Sequence, residues 1–321
     1  MKSVGVLVFF LALLGSGAAL AQTLNYPTKP VKIIVPYPPG GGNDIPARII
    51  GAELGRMWSQ SVVVENRSGA AGTLGSGIVA RSAPDGYTIL LTSASHAITP
   101  SVMPDLQYDV VKDFAGINII LTNPAIILVP ASSPLKSMQD FIAKAKSEPG
   151  KLSYSTVGPG TVGHLVALAL EQAAGISLLH VPYRGGAPAF QALASAEVDA
   201  GISILNGAMP LINAGKIRAL ALDERSSFLP NVPSLAELGF KDISGKNWVG
   251  LFAPAGTPRP IVNKLHQAVS DIMRQPEIRQ KFIAMATEPT EMAPEQVDAF
   301  VRDQAAYYRR AVQRFKIPVE R

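Results

Sequence analysis

The segment from Pro36 to Arg48 constrains this chain more than any other. It joins an apolar, strand-like run, Val31 to Val35, to a helix-like run that starts near Asp44. Between them stand Gly40, Gly41 and Gly42, which carry no Cβ. Such a turn can adopt positive φ and bring bare backbone N–H groups close to a ligand. Asn43 or Asp44 can cap the following helix, and Pro46 suits its first turn. Unpaired N–H groups at the positive end of a helix dipole form an anion site. An ordinary strand-to-helix turn has the same composition, so the segment alone leaves both readings open.

The rest of the chain repeats the strand-then-helix pattern. Strands are expected at Val62 to Glu65 and Tyr87 to Thr92, with a short helix near Leu74 to Arg81 between them. Two apolar runs, Gly116 to Leu121 and Ala125 to Val129, are broken by Asn123 and Pro124. Ser137 with Asp140 resembles a capping box opening a helix to about Ser147. Strands at Leu152 to Ser155, Leu178 to Val181, Val198 to Ile204 and Ile217 to Leu222 alternate with helices at Val162 to Ala174, Ala187 to Ala194 and Gly207 to Asn213. Asp223 to Asn247 is loop-rich. A strand at Trp248 to Phe252 then leads to a helical tail, with Thr257 as N-cap and Pro258 in the first helical position. The alternation predicts an α/β protein with mainly parallel sheets flanked by helices.

Length and composition bound the function. Lys2 precedes an apolar run from Val4 to Leu14, and Ala19-Leu20-Ala21 gives the small-x-small pattern of a cleavable signal peptide. Cleavage is expected after Ala21, leaving a mature, exported chain that starts at Gln22. The run is short for a membrane span of roughly 20 residues. The remaining 300 of the 321 residues suit two domains. Charged residues make up 17% of the chain, and its Lys and Arg residues are scattered, which argues against nucleic acid as a partner. The chain has no Cys, so disulfide and thiolate chemistry are excluded.

A second glycine segment runs from Thr156 to His164. Gly158, Gly160 and Gly163 match the dinucleotide fingerprint and stand between a strand and a helix. This makes an exported enzyme, or an NADP-dependent oxidoreductase acting on a small acid, the rival reading. Against it, no acid lies about 20 residues on to hold a ribose hydroxyl; Arg184, suited to a phosphate instead, stands there. The fingerprint also opens mid-chain and contains a proline. The four His residues show no metal-ligand spacing. No nucleophile elbow or P-loop lysine occurs, and no cofactor is expected.

Seven segments in order carry a resemblance. They are Pro36 to Arg48, Val64 to Gly72, Pro84 to Leu90, Tyr108 to Phe114, His180 to Pro188, Val198-Asp199 and Trp248 to Pro258. The series, spanning essentially the whole mature chain, resembles the substrate-binding receptors of tripartite tricarboxylate transporters, the Bug-type periplasmic solute receptors. The resemblance implies a two-domain periplasmic-binding-protein fold of type II with a hinged cleft. It implies a discontinuous first domain, residues 22–123 and 248–321, with the second domain at 124–247. It implies a non-enzymatic, monomeric receptor for a small organic acid, serving a membrane permease; a signalling partner would leave the same sequence.

In such receptors a carboxylate lies against the loop after the first strand, partly through bound water. Carried onto this sequence, the first-domain contacts are Tyr37, Gly40, Gly41, Gly42, Asn43 and Asp44, with Ser93, Ala94 and Ser95 after the third strand. The second-domain candidates are Thr156, Gly160, Thr161, His164, Tyr183, Arg184 and Ser203. Thr99, in an expected loop from Ser95 to Pro100, departs from the resemblance, since these receptors usually carry Asn there. Ser203 stands where some of them carry Asp. A neutral hydroxyl there offers no partner to an ammonium, and leaving such a charge unpaired is costly. Carboxylates without an amino group are therefore expected to be preferred. Asp199, at the opposite end of the same strand, reads as a turn or capping residue.

Overall fold

The computed structural model of the chain describes residues 25–103, 105–241 and 243–314. The expected signal peptide and its cleavage point lie outside them. The first stretch is β1 (Val31–Val35), α1 (Asp44–Trp58), β2 (Val62–Asn66), α2 (Thr73–Ala80), β3 (Thr88–Ser93), α3 (Ser95–Val102) and β4 (Phe114–Asn123). The middle stretch is β5 (Ala125–Pro130), α4 (Met138–Ser147), β6 (Ser153–Thr156), α5 (Val162–Ala174), β7 (Leu179–Pro182), α6 (Gly186–Ala194), β8 (Ala200–Ile204), α7 (Leu205–Asn213) and β9 (Ile217–Leu222). The last is β10 (Asn247–Pro254), α8 (Arg259–Arg274), α9 (Pro276–Ala284), β11 (Glu288–Pro289) and α10 (Pro294–Arg314).

These strands form two sheets. The first has the order β11-β4-β10-β3-β1-β2, and the second β7-β6-β8-β5-β9. Both are mixed rather than mainly parallel, and the reason is topological. In the first, β1 pairs in parallel with β2 and β3, but β10 is antiparallel to β3 and β4. In the second, β6 pairs in parallel with β7 and β8, while β5 is antiparallel to β8 and β9. In each sheet the reversed long strand is the one through which the chain arrives from the other sheet. Periodicity reports burial and gives no strand direction, so the sequence could not show this.

Apolar burial explains the layers. Val31, Ile33 and Val35 are fully buried on one face of β1, in a cluster with Ala47, Ile50 and Leu54 of α1 and Leu265, Val269 and Ile272 of α8. Each such aliphatic side chain contributes about 1.5–3 kcal/mol when buried. Phe141, Tyr154 and Leu170 do the same for the second sheet. Trp248 is fully buried, as expected of a core residue.

Two local expectations fail. Ser95 to Pro100 is helical, not a loop, because His96, Ala97, Ile98 and Val102 are buried along α3. Burial of that face outweighs the N–H lost at Pro100. Pro258 occupies the N-cap of α8, with Pro260 inside its first turn, while the Thr257 hydroxyl donates to the Pro254 carbonyl at 2.7 Å.

The segments joining the sheets are clasped by one carboxylate. Asp223 Oδ1 accepts the Ala125 N–H at 2.8 Å and Oδ2 accepts the Gly245 N–H at 2.7 Å. Burial pushes this carboxyl up to about 6, even though both N–H bonds favour its charged form. Asn247 Nδ2 donates to Asn123 Oδ1 at 2.9 Å, and these two residues face each other across β10 and β4.

Candidate functional site

The candidate residues gather at the carboxyl ends of β1, β3, β6, β7 and β8, where ligands collect in open α/β sheets. The helices that follow these strands are α1, α3, α5, α6 and α7. None has a side-chain cap on its N-terminus: their N-cap residues are Asn43, Ala94, Thr161, Gly185 and Ile204. By contrast, Ser137 caps α4 by accepting the Asp140 N–H. The capping box expected there is altered, because Asp140 returns its bond to the Lys136 N–H, one residue before the cap.

The loop after β1 is held by a network that leaves its middle open. Asp44 is buried, and its carboxylate accepts the Gly40 N–H at 2.8 Å, Arg48 Nε at 2.9 Å and Asn66 Nδ2 at 2.9 Å. Burial pushes the Asp44 carboxyl up, but the bonds from Arg48, Gly40 and Asn66 outweigh it and hold it below the usual range. Asn66 Nδ2 also donates to the Tyr37 carbonyl at 3.1 Å, pinning the other end of the loop. Asp44 therefore braces the loop: its carboxylate is spent internally and its own N–H bonds to the Gly41 carbonyl at 3.0 Å.

Among the described residues, the N–H groups of Gly41, Gly42 and Asn43 have no partner. Gly40 alone of the three glycines has positive φ, at 78°. A Cβ at Gly41 would meet only the Pro38 carbonyl oxygen, at 3.5 Å, which is ordinary contact. A Cβ at Gly42 would lie 3.0 Å from Asn206 Nδ2, on α7 of the other sheet. So the backbone freedom resides at Gly40 and the close approach at Gly42, and Gly41 requires neither. Asn43 Oδ1 is buried without a partner. Behind the loop, Ser93 Oγ donates to Tyr37 Oη at 3.0 Å, so these two candidates form one hydrogen-bonded unit. Ala94 and Ser95, both buried, open α3 directly after it.

The loop after β6 spends its glycine N–H groups on itself. Gly158 N–H donates to Thr156 Oγ1 at 3.2 Å and Gly160 N–H to His164 Nδ1 at 3.2 Å. Accepting at Nδ1 places the proton of a neutral His164 on Nε2, leaving that nitrogen a donor. Thr161 Oγ1 donates to the Gly158 carbonyl at 2.7 Å. His164 stacks on His180 with ring centroids 4.4 Å apart, and His180 Nε2 lies 2.7 Å from Thr156 Oγ1. Burial, then repulsion from His180, pushes His164 down to about 4; burial also lowers His180. Both rings are neutral at pH 7. Gly163 is a packing residue: a Cβ there would come within 2.1 Å of the Ile202 carbonyl oxygen.

The remaining candidates divide. Arg184 is exposed just beyond β7, with no ion pair or hydrogen bond to a described residue. The Tyr183 hydroxyl donates to the Glu197 carboxylate at 3.0 Å, so its polar end is already engaged. Ser203 is buried near the carboxyl end of β8. Asp199 accepts the Ser153 N–H and hydroxyl at the far end of the sheet, so it ties the start of β8 to the start of β6 and caps neither a turn nor a helix end. Asn66 and Asn206 were missed. The first stands in the Val64 to Gly72 segment but carried no signal of its role, and nothing in the sequence marks the second. A groove of about 190 Å³ lined by Pro100, Met103, Tyr108, Asp109 and Arg309 holds none of the candidates.

Residues 46–317 match the model of the tripartite tricarboxylate transporter family receptor. The chain belongs to this family. The fold of the periplasmic binding protein BugD is similar, with 31% identity, a TM-score of 0.84 and coverage of 91% of this chain and 99% of that one. An R. palustris protein solved with adipate shares 31% identity, with a TM-score of 0.86 and coverage of 91% and 99%. MatC from Rhodopseudomonas palustris, solved with bound malate, shares 31% identity, with a TM-score of 0.81 and coverage of 89% and 100%. The two-domain binding-protein fold and the receptor class follow, and the chain is a solute-binding receptor and no enzyme. The dinucleotide reading also fails locally, because Gly158 and Gly160 have no N–H left for a pyrophosphate.

Proposed function

We propose that this receptor captures a small dicarboxylate between its domains in the periplasm and delivers it to a tripartite tricarboxylate-type permease. The observation that carries this reading is the row of unpartnered N–H groups at Gly41, Gly42 and Asn43. One carboxylate sits there, directly or through bound water, backed by Tyr37, Ser93, Ala94 and Ser95. The second end lies against Arg184, the His164 Nε2–H, Ser203 and the first turn of α5 after Gly160 and Thr161. Thr156 and Tyr183 shape that side through their internal bonds. The charge at Arg184 and the helix N-termini favour an anion at both ends.

The domains divide at 123/124 and 247/248, where Asp223 and the Asn123–Asn247 pair hold the crossings. Closure stabilised by contacts to both ligand ends needs no other device. We further propose that the chain is cleaved after Ala21 and acts as a monomer. Adipate and malate, named with similar proteins, support this ligand class. With Ser203 neutral, aspartate and glutamate bind more weakly than acids without an amino group. A thermal-shift panel tests this, since a ligand at about 100 times its Kd adds roughly 2.7 kcal/mol of stability. The largest shift should come from a dicarboxylate without an amino group; the largest shift from aspartate or glutamate would remove Ser203 from the site.

A further inference from the structure

Asn206 stands in the first turn of α7, half-buried, three residues after Ser203. Its Oδ1 accepts the Gly207 N–H at 2.9 Å, which fixes the amide with its donor end outward. That end, Nδ2, points across the cleft at the loop after β1, where a Cβ on Gly42 would come within 3.0 Å of it. No described residue accepts a hydrogen bond from Nδ2. The facing loop also presents donors, at Gly41, Gly42 and Asn43. Donors from two domains therefore face each other at this point of the cleft, and neither side accepts a hydrogen bond from the other. A carboxylate oxygen supplies the missing acceptor, and an ammonium or hydroxyl proton does not.

We infer that Asn206 is a specificity-determining residue that donates across the cleft to the same carboxylate that rests on the Gly41–Asn43 loop. This rests on the dicarboxylate reading above and deepens it. One carboxylate is then gripped by both domains, so its binding by itself favours the closed form. Gly42 is needed because any side chain there would displace the amide from its place. A second observation fits the same closed geometry: a Cβ on Gly160 would lie 2.8 Å from Val102 Cγ2 at the end of α3, so the domains also touch on the other side of the cleft.

Asn206→Ala and Asn206→Asp separate a hydrogen-bond donor from a steric lip. The aspartate keeps the shape, loses the donor and adds a negative charge. Titration calorimetry with adipate and with malate at pH 7, on variants whose circular dichroism matches the parent, should show a loss of roughly tenfold to a hundredfold for Asn206→Ala, the range for a hydrogen bond to a charged group. Asn206→Asp should lose more. Both variants within twofold of the parent would overturn the inference, as would Asn206→Asp binding as well as the parent while Asn206→Ala does not. A parent chain that binds neither acid contradicts the dicarboxylate reading instead. In that case organic acids released from natively purified parent and Asn206→Asp protein are compared by mass spectrometry. Less acid in the variant supports the role of Asn206, and equal amounts overturn it.

Discussion

The loops after β1 and β6 look alike in sequence, each glycine-rich and each leading from strand to helix, yet they handle their hydrogen bonds in opposite ways. In the first, Asp44 and Asn66 secure the two ends, and Gly41 and Gly42 keep their N–H groups available. In the second, Gly158 and Gly160 donate to Thr156 and His164, and Gly163 serves the packing of α5 on β8. A glycine pattern thus marks where backbone comes close to something. Whether that partner is a ligand or the protein itself depends on which side chains consume the donors.

The contrast breaks most readily at Gly163. Gly163→Ala forces a methyl group against a backbone carbonyl that cannot swing aside, and overpacking of this kind costs about 3 kcal/mol. Urea denaturation should show that loss, whereas Gly41→Ala, which meets only ordinary contact, should stay within about 0.5 kcal/mol of the parent. Equal losses at both positions would erase the distinction between a packing loop and an open one.

Acidification should strain the second loop through His164. Its folded-state value near 4 lies below the ordinary 6.5, so the unfolded chain takes up protons first. Stability from the neutral ring is present above pH 6.5 and is lost as the pH falls towards 4, by up to about 3 kcal/mol. Buried His96, also near 4, acts in the same direction. Asp223 opposes them, because a carboxyl raised to about 6 favours the folded state at low pH and loses that contribution as the pH rises through 6. The His164→Phe variant, which keeps a ring over His180, should show a shallower fall between pH 6.5 and 4 than the parent. An unchanged slope would mean that His164 is not held neutral.

Arg184 sharpens the comparison from the ligand side. It stands exposed beyond β7 with no partner among the described residues, so Arg184→Met should leave the melting temperature in place. Affinity for adipate or malate should fall by roughly 1.5–3 kcal/mol, the range for a charge-assisted hydrogen bond. Affinity within twofold of the parent would place the far carboxylate elsewhere.

A smaller loss is expected at Gly40. Its φ of 78° penalises a side chain, and Gly40→Ala should cost about 1 kcal/mol of stability, read as a shift in the denaturation midpoint. That separates it from Gly41, which the sequence treats as equivalent.

How much of this was legible in the chain follows the range of the interactions. Helix α5 was bounded correctly from its apolar spacing and its glycines, and α1 from Asp44, because those signals are local. Helix α3 was missed because Ser95 to Pro100 was read as a loop, and the burial that makes it helical comes from α10 and from Phe114 and Phe252, all distant in sequence. The mixed sheets were invisible for the same reason, since strand direction depends on where the chain crosses between domains. In the site, the loop itself was readable from its glycines. The part played by Asp44 was not: the i,i+4 pair with Arg48 is local, but Asn66, which ties Asp44 to the other end of the loop, meets it only in the fold. Asn206 lies 164 residues from Gly42 in the chain and had no local signature.

The central claim is that the first loop, and not the second, offers its glycine N–H groups to the ligand. A crystal structure of the receptor with adipate tests it most directly. One carboxylate oxygen should lie within about 2.7–3.2 Å of the N–H nitrogens of Gly41, Gly42 or Asn43, or reach them through a single bound water. The N–H groups of Gly158 and Gly160 should keep their bonds to Thr156 and His164. A carboxylate resting on Gly158 and Gly160, with the loop after β1 left in contact with bulk water, would contradict it.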